Sequence, residues 1–214
     1  MLAHVAREWD KAEKLIKEAE RARAQVVMAS VNELRYAGRR LVDALHLQEK
    51  AKVDPTAKSD FDRYISEVLA FSHRAQHDAV DAIVLFLQKA IEKYENEFGI
   101  SLLIEKYPRI LDIKASISQA DSLIIASRKD RMSRIEEYDK LAADHCPALL
   151  EHYQHLMANK DVLTELVNAK KLSEIKQKRE FRQLIWVTIL AGFGGGIIGA
   201  LLTILYELTK KTGQ

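Results

Sequence analysis

The chain has 214 residues, with 33 Lys and Arg against 31 Asp and Glu, so its formal net charge is only +2. Such a balance lacks the strong basic character that nucleic-acid-binding domains usually carry. A single cysteine excludes an internal disulfide and favours a reducing compartment. Three prolines and eight glycines are few for this length, which favours long helices over a sheet.

The charge is unevenly distributed along the chain. Residues 170–182 have a net charge of +4, the tail at 207–214 has +1, and residues 1–169 are left with −3. The acidic balance of residues 1–169 argues against nucleic acid as a partner, and the basic cluster is expected to meet anionic lipid head groups. The basic residues of this cluster are Lys170, Lys171, Lys176, Lys178, Arg179 and Arg182.

The first half of the chain predicts two long helical elements. Apolar residues from Val5 onward recur at helical spacing, and the stripe changes phase near Arg23, so residues 3–52 are expected to form one long helix or a kinked pair. After Pro55, Ser59 is predicted to cap a second helix that runs to Phe98, with Gly99 as its C-terminal stop. Joined by a short loop, these elements should pack as an antiparallel hairpin.

The next part predicts shorter helices that lead to a long one. Residues 100–107 fit either a helical turn or an extended piece, and Pro108 is expected to open a helix that ends near Ser127. Another helix is expected as far as about residue 145. Pro147 should then open a helix that continues, with one bend at most, into the apolar run described next.

The longest apolar stretch is residues 184–206, which holds 23 residues with no charge and no proline. A helix of this length spans about 35 Å, enough to cross a hydrocarbon core of about 30 Å. We therefore predict a single membrane-spanning helix anchored at the C-terminal end. The predicted fold is all-α, a long-helix antiparallel bundle followed by this one transmembrane helix.

Small residues recur every fourth position within the predicted span. This spacing lets helix backbones approach closely in lipid, where packing drives association. It predicts homo-oligomerisation, and a pore formed by the helices is a further possibility; a flexible anchor without self-association is the alternative. The residues are Gly192, Gly195, Gly196, Gly199 and Ala200.

The charges flanking the span predict its orientation. More Lys and Arg precede it than follow it, which places residues 1–169 in the cytoplasm and the short tail at 207–214 outside the inner (plasma) membrane. The start of the chain has no apolar core of a signal peptide. The predicted organisation is a cytoplasmic bundle (1–169), a basic juxtamembrane helix (170–183), the span (184–206) and the tail.

Two small constellations have the residue types for chemistry. His73, His77 and Asp81 share a helix face at intervals of four, which suits a metal site; the competing interpretation is a polar seam inside the bundle. Gly-rich phosphate loops, Ser-His-Asp order and zinc-finger spacings are absent from the sequence, so no cofactor is expected.

The second constellation is Arg39 or Arg40 followed by His46 on one helix. Together with residues 31–45 (VNELRYAGRRLVDAL) and 70–98 (AFSHRAQHDAVDAIVLFLQKAIEKYENEF), it resembles the HEPN-like helical domains of bacterial defence loci. With a membrane helix added, the plan is similar to the small membrane accessory proteins of type VI-B CRISPR systems. The resemblance implies an oligomeric, membrane-perturbing effector, and for the Arg and His it implies ribonuclease roles at a dimer interface.

Three functions therefore stay open from the sequence. The first is a membrane effector in antiphage defence, with the lipid bilayer, further copies of itself and a defence-system protein as partners. The second is a membrane-tethered HEPN-like ribonuclease that uses Arg39, Arg40 and His46. The third is a non-enzymatic membrane scaffold or adaptor. We favour the first, and expect no enzymatic activity.

Overall fold

The computed structural model describes residues 1–130 and 134–212, with side chains for 1–130 and 134–189. All regular structure in these residues is helical, which confirms the all-α prediction. The α-helices are α1 (Leu2–Arg23), α2 (Met28–Leu47), α3 (Pro55–Phe98), α4 (Ile100–Lys106), α5 (Ile110–Lys129), α6 (Arg134–Lys140), α7 (Cys146–Ala158) and α8 (Lys160–Thr212). A 3₁₀ turn (Lys50–Lys52) precedes α3, and a π-helical segment (Leu141–His145) joins α6 to α7.

Helix boundaries follow local backbone chemistry. Helix α1 ends at Ala24, whose φ of 52° lies in the left-handed region, and this break falls at the predicted phase change. Helix α3 ends at Gly99, where φ is 80°, a conformation that only glycine adopts without strain. The end of α3 was therefore predictable from one residue.

Two predicted starts are wrong. Helix α3 begins at Pro55 rather than near Ser59, because the Asp54 side chain accepts a hydrogen bond from the Thr56 backbone N–H at 2.9 Å and caps the helix there. Helix α5 begins at Ile110 rather than Pro108, since a turn closed by the Ile110 N–H and the Tyr107 carbonyl precedes it.

Helix α3 is the central element of residues 1–160, and it buries one face along its whole length of 44 residues. Helix α2 runs antiparallel to α3. Arg40 of α2 pairs with Glu67 of α3, whereas Glu33, earlier in α2, pairs with Arg74, later in α3. Helix α1 crosses the middle of α3, where the Gln76 side chain donates to the Glu8 backbone carbonyl. The apolar cluster shared by these three helices consists of Val5, Ala37, Ala44, Phe61, Ile65 and Val68.

The second half of α3 is covered by different helices. Helix α5 runs antiparallel to it, with Lys114 beside Glu95. Helix α7 runs parallel to it, with Tyr153 against Phe86. Fully buried side chains from all three elements fill the space between them: Ile83, Leu87, Ile110, Ile113, Leu149 and Leu156.

The chain divides into two compact units, Met1–Lys160 and Asp161–Gln214. The second unit is helix α8, and the predicted domain boundary at 169/170 falls inside this helix. Helix α7 ends at Ala158 and α8 begins at Lys160, so the last break before the apolar run lies at Asn159.

Among the residues whose side chains are described, no helix is long and apolar enough to cross a membrane. Most of the predicted span, from residue 190 to 206, lies outside those residues, as do the predicted packing positions Gly192, Gly195, Gly196, Gly199 and Ala200.

Candidate functional site

A chain of polar contacts, here called the polar seam, crosses the middle of α3 where α1, α5 and α6 meet it. Its α3 members lie about one turn apart on one helix face, and the other members come from the three surrounding helices. Its residues are Glu8, His73, Gln76, His77, Asp81, Arg128 and Tyr138.

Glu8 forms one end of the polar seam and is only 4% exposed. The Gln76 side-chain amide donates to the Glu8 backbone carbonyl at 2.9 Å and lies 3.4 Å from its carboxylate. His73 Nε2 lies 3.5 Å and Lys11 Nζ 3.4 Å from the same carboxylate. Burial alone would raise the pKa of Glu8, but hydrogen bonds from Gln76 and Arg7, with the nearby positive charges, leave it below its ordinary value.

Asp81 forms the other end. Its carboxylate accepts a hydrogen bond from the Tyr138 hydroxyl at 2.7 Å and another from Arg128 Nη2 at 2.8 Å. Burial, with this bond to Asp81, raises the pKa of Tyr138 to about 12, so the phenol stays protonated. The arrangement joins α3, α5 and α6 through one carboxylate.

His77 lies between the two ends and stacks on the Tyr138 ring, with ring centroids 3.9 Å apart and planes at 23°. Burial, and then the neighbouring His73 and Arg134, lower the pKa of His77 to about 4. Burial also lowers the pKa of His73, although Glu8 partly offsets it. Both rings are therefore neutral near pH 7, and protonating them would work against folding.

The geometry does not gather His73, His77 and Asp81 as ligands. His73 faces Glu8, His77 stacks on Tyr138, and Asp81 is held by Tyr138 and Arg128. No three His, Cys, Asp or Glu side chains come together as metal ligands within the residues described. These three residues belong to the polar seam. Their packing favours the neutral form of both histidines, so it depends on pH.

The arginines proposed for ribonuclease chemistry face carboxylates of the bundle itself. Arg40 lies 2.7 Å from Glu67 and 3.2 Å from Asp43, and its guanidinium packs over the Tyr64 ring. Arg39 is more exposed and lies 3.4 Å from Asp43. These ion pairs give both arginines structural partners.

His46 is exposed near the end of α2. By helical periodicity it shares a side of α2 with Arg39, about 10 Å away along the axis, whereas Arg40 points elsewhere. The structure thus brings His46 and Arg39 to one surface and turns Arg40 inward, toward α3.

Cys146 begins α7 and is fully buried. Burial raises the pKa of its thiol to about 12, which keeps it in the unreactive thiol form. This environment suits a packing role.

The basic cluster lies in the first half of α8, and all six of its side chains are exposed. From residue 168 to 189 every side chain of α8 is exposed, including Phe181 at 64% and Trp186 at 65%. Thr188, inside the apolar run, donates its hydroxyl to the Leu184 carbonyl at 2.9 Å. The region therefore combines free positive charge with uncovered apolar surface.

Sequence reasoning missed Glu8, Tyr138 and Arg128 as partners in the polar seam. Glu8 lies on the apolar stripe of α1, between Val5 and Ala12, and a carboxylate at such a position is a detectable signal of a buried pair. The contact between Tyr138 and Asp81 left no signal, since the two residues are far apart in sequence.

In comparisons with known proteins, no family model, no curated protein and no solved structure matches this chain. The resemblance to HEPN-like domains therefore rests on the residues quoted for it.

Proposed function

We propose that this protein is a membrane-anchored, self-assembling effector whose C-terminal helices form or open a lesion in the bilayer under control of the helical bundle. The observation that carries the proposal is continuity. One helix, α8, contains both the exposed basic cluster and the uncharged run at 184–206. A basic segment joined directly to such a run suits a helix that leaves an anionic membrane surface and enters hydrocarbon.

Exposure along α8 gives a second line of support. Trp186, Val187 and Ile189 are 65%, 63% and 42% exposed, and large apolar side chains in a row mark a surface that meets lipid or another protein. The internal hydrogen bond of Thr188 also suits lipid, because no water is available there to satisfy a hydroxyl. Trp186 has the amphipathic ring that is favoured at a membrane interface.

The spacing of small residues supports self-association within the membrane. Gly192, Gly196 and Ala200 recur every fourth residue, and Gly195 and Gly199 repeat the interval. Since only Thr188 and Thr203 are polar within the run, a pore lined by this helix would have a mainly apolar wall that can close by dewetting. The resemblance to HEPN-like domains supports antiphage defence as the setting and the inner membrane as the location.

The test is membrane depolarisation in bacterial cells that overexpress the full-length chain, read with a voltage-sensitive dye. Gly196→Leu is expected to abolish depolarisation and to lower the oligomeric state in detergent, because the larger side chain separates the helices. Gly194→Leu is the matched control: it makes the same change two residues away, on a different side of the helix by periodicity. Equal effects of the two variants would contradict the proposal, as would an unchanged membrane potential on expression of the wild type.

Exchanging residues 184–206 for an unrelated single-pass helix distinguishes the scaffold alternative from the effector proposal. The proposal expects the chimera to reach the membrane and fail to depolarise it. A chimera that keeps full biological activity would instead assign the active role to the bundle.

The ribonuclease alternative is supported by one observation, the shared surface of Arg39 and His46 on α2. His46→Ala tests it, and the effector proposal expects depolarisation and toxicity to persist in that variant. Loss of RNA cleavage and toxicity, with membrane assembly intact, would favour the nuclease.

A further inference from the structure

An open groove of about 300 Å³ lies between α3 and α7. One wall is aromatic: Phe86 and Tyr153 meet edge to face, with ring centroids 5.2 Å apart and planes at 84°. Tyr94 and Met157 continue the lining. Its charged members are Lys89, Lys93 and Lys160, against one carboxylate, Glu97. The groove thus combines a flat apolar wall with positive charge.

Tyr94 has an incompletely satisfied hydroxyl in this groove. The residue is 4% exposed, and its hydroxyl donates to the Met157 sulfur, with the oxygen and sulfur 2.9 Å apart. A thioether is a weak acceptor, whereas a buried phenol usually finds an oxygen. Burial raises the pKa of Tyr94 to about 12, so the group remains a donor at any physiological pH.

Lys89 and Lys93 are exposed and lie one helical turn apart. Within the part of the chain that the structure describes, neither forms an ion pair, although Lys114 across the other side of α3 is paired with Glu95. Two like charges at this spacing repel each other, and an anion placed between them removes the repulsion. With three lysines against the single carboxylate of Glu97, the groove keeps a net positive charge beside its aromatic wall, which favours an anionic ligand.

From these three features we propose that the groove binds a phosphate group carried on an apolar body. Lys89 and Lys93 hold the phosphate, the Tyr94 hydroxyl turns from Met157 to donate to a phosphate or ester oxygen, and the wall of Phe86 and Tyr153 packs against the apolar part. Such a group occurs in anionic phospholipids and in soluble phosphate esters. The inference concerns the bundle and goes beyond the anchoring role of α8.

Calorimetric titration of the full-length protein in non-ionic detergent tests the site with three probes: dihexanoyl phosphatidic acid, dihexanoyl phosphatidylcholine and inorganic phosphate. Phosphatidic acid is expected to bind, and the variant Lys89→Gln/Lys93→Gln should bind it about tenfold more weakly or worse, since two charge-assisted contacts are lost. Lys50→Gln/Lys129→Gln removes the same charge from exposed positions elsewhere and should change affinity by less than about twofold.

The phenol is tested separately by Tyr94→Phe, which keeps the ring. It should weaken binding by about three- to tenfold while the thermal midpoint stays close to that of the wild type. Lysine-dependent binding of inorganic phosphate alone would identify a soluble phosphate as the source, and lysine-dependent binding of phosphatidic acid only would identify a lipid. Equal affinities in the groove and control variants, or no binding of any probe, would overturn the proposal.

Discussion

The bundle at residues 2–158 and the part of α8 from residue 168 to 189 differ in how far they bury their apolar side chains. In the bundle, Ile83 and Leu87 on α3 are at most 1% exposed, and the charged groups of the polar seam have partners. In α8, Leu172 and Trp186 are 60% and 65% exposed. Isolated helices are marginal in water, and most helical stability in proteins comes from tertiary packing. The bundle is therefore stabilised by its own packing, whereas residues 168–189 of α8 gain no such stabilisation from buried side chains.

The largest effect that separates the two regions should come from truncating one leucine in each. Leu87→Ala is expected to lower the free energy of unfolding by about 2–5 kcal/mol, because it leaves a cavity in the core. Leu172→Ala should change it by less than about 0.5 kcal/mol. Urea denaturation followed by the fluorescence of Trp9, which packs against the apolar cluster of α1, α2 and α3, measures both in a Trp186→Phe background. Comparable losses in the two variants would mean that α8 is buried in the folded protein.

A smaller effect is expected from pH, and it belongs to the bundle alone. The pKa of His77 is lowered to about 4 by burial, so the unfolded chain takes up this proton first as the pH falls. Titration of His77 therefore leaves the free energy of unfolding unaffected above about pH 6.5 and lowers it progressively toward pH 4. The total decrease is about 2 kcal/mol once the partial solvent exposure of His77 is allowed for.

His77→Phe should flatten this dependence, since a phenyl ring can keep the stacking on Tyr138 without titrating. The control is His155→Phe, at an exposed position on α7, which should leave the slope unchanged. The measurement is urea denaturation at half-unit steps from pH 6.5 to 5, a range above the titration of most carboxylates. A slope that survives in His77→Phe would assign the pH dependence to other groups, with His73 the first to examine.

The same contrast explains what could be predicted from sequence. Helix content and several ends depend on local signals, such as the φ of 80° that Gly99 adopts after α3. The face shared by His73, His77 and Asp81 was equally local, because periodicity places residues four apart on one side. The contacts that these residues make with other helices could not be predicted from the neighbouring sequence. Glu8 and Tyr138 reach them from helices that lie far away in the sequence.

The start of α3 shows a failure that local chemistry could have prevented. Asp54 followed by Pro55 is a stronger start signal than Ser59 with Asp62, since it combines a cap with the proline that suits the first turn. The groove beside Tyr94 is different, because it depends on how α7 packs against α3. No pattern within either helix predicts that its phenol would face a methionine sulfur.

An effect of about 1 kcal/mol should distinguish the two arginines of α2. Arg40→Gln removes a guanidinium that lies 2.7 Å from Glu67 and packs over Tyr64, so it should destabilise the bundle by about 1 kcal/mol. Arg39→Gln removes one exposed ion pair and should cost less than about 0.5 kcal/mol. Urea midpoints of the two variants provide the comparison. A reversed order would show that Arg39 has a buried partner beyond Asp43.

An effect of similar size is expected in α8, and it concerns binding, with no change in the stability of the bundle. Lys178 is exposed within the basic cluster, and a lysine near an anionic membrane surface contributes about 1 kcal/mol. In a chain ended after residue 183, Lys178→Gln should therefore weaken co-sedimentation with phosphatidylserine-containing vesicles by about fivefold at low salt, while Lys129→Gln on α5 should not. Added salt should reduce the difference between these variants. Equal binding of both would show that the basic cluster does not meet the membrane surface, and α8 would then need a protein partner for its exposed face.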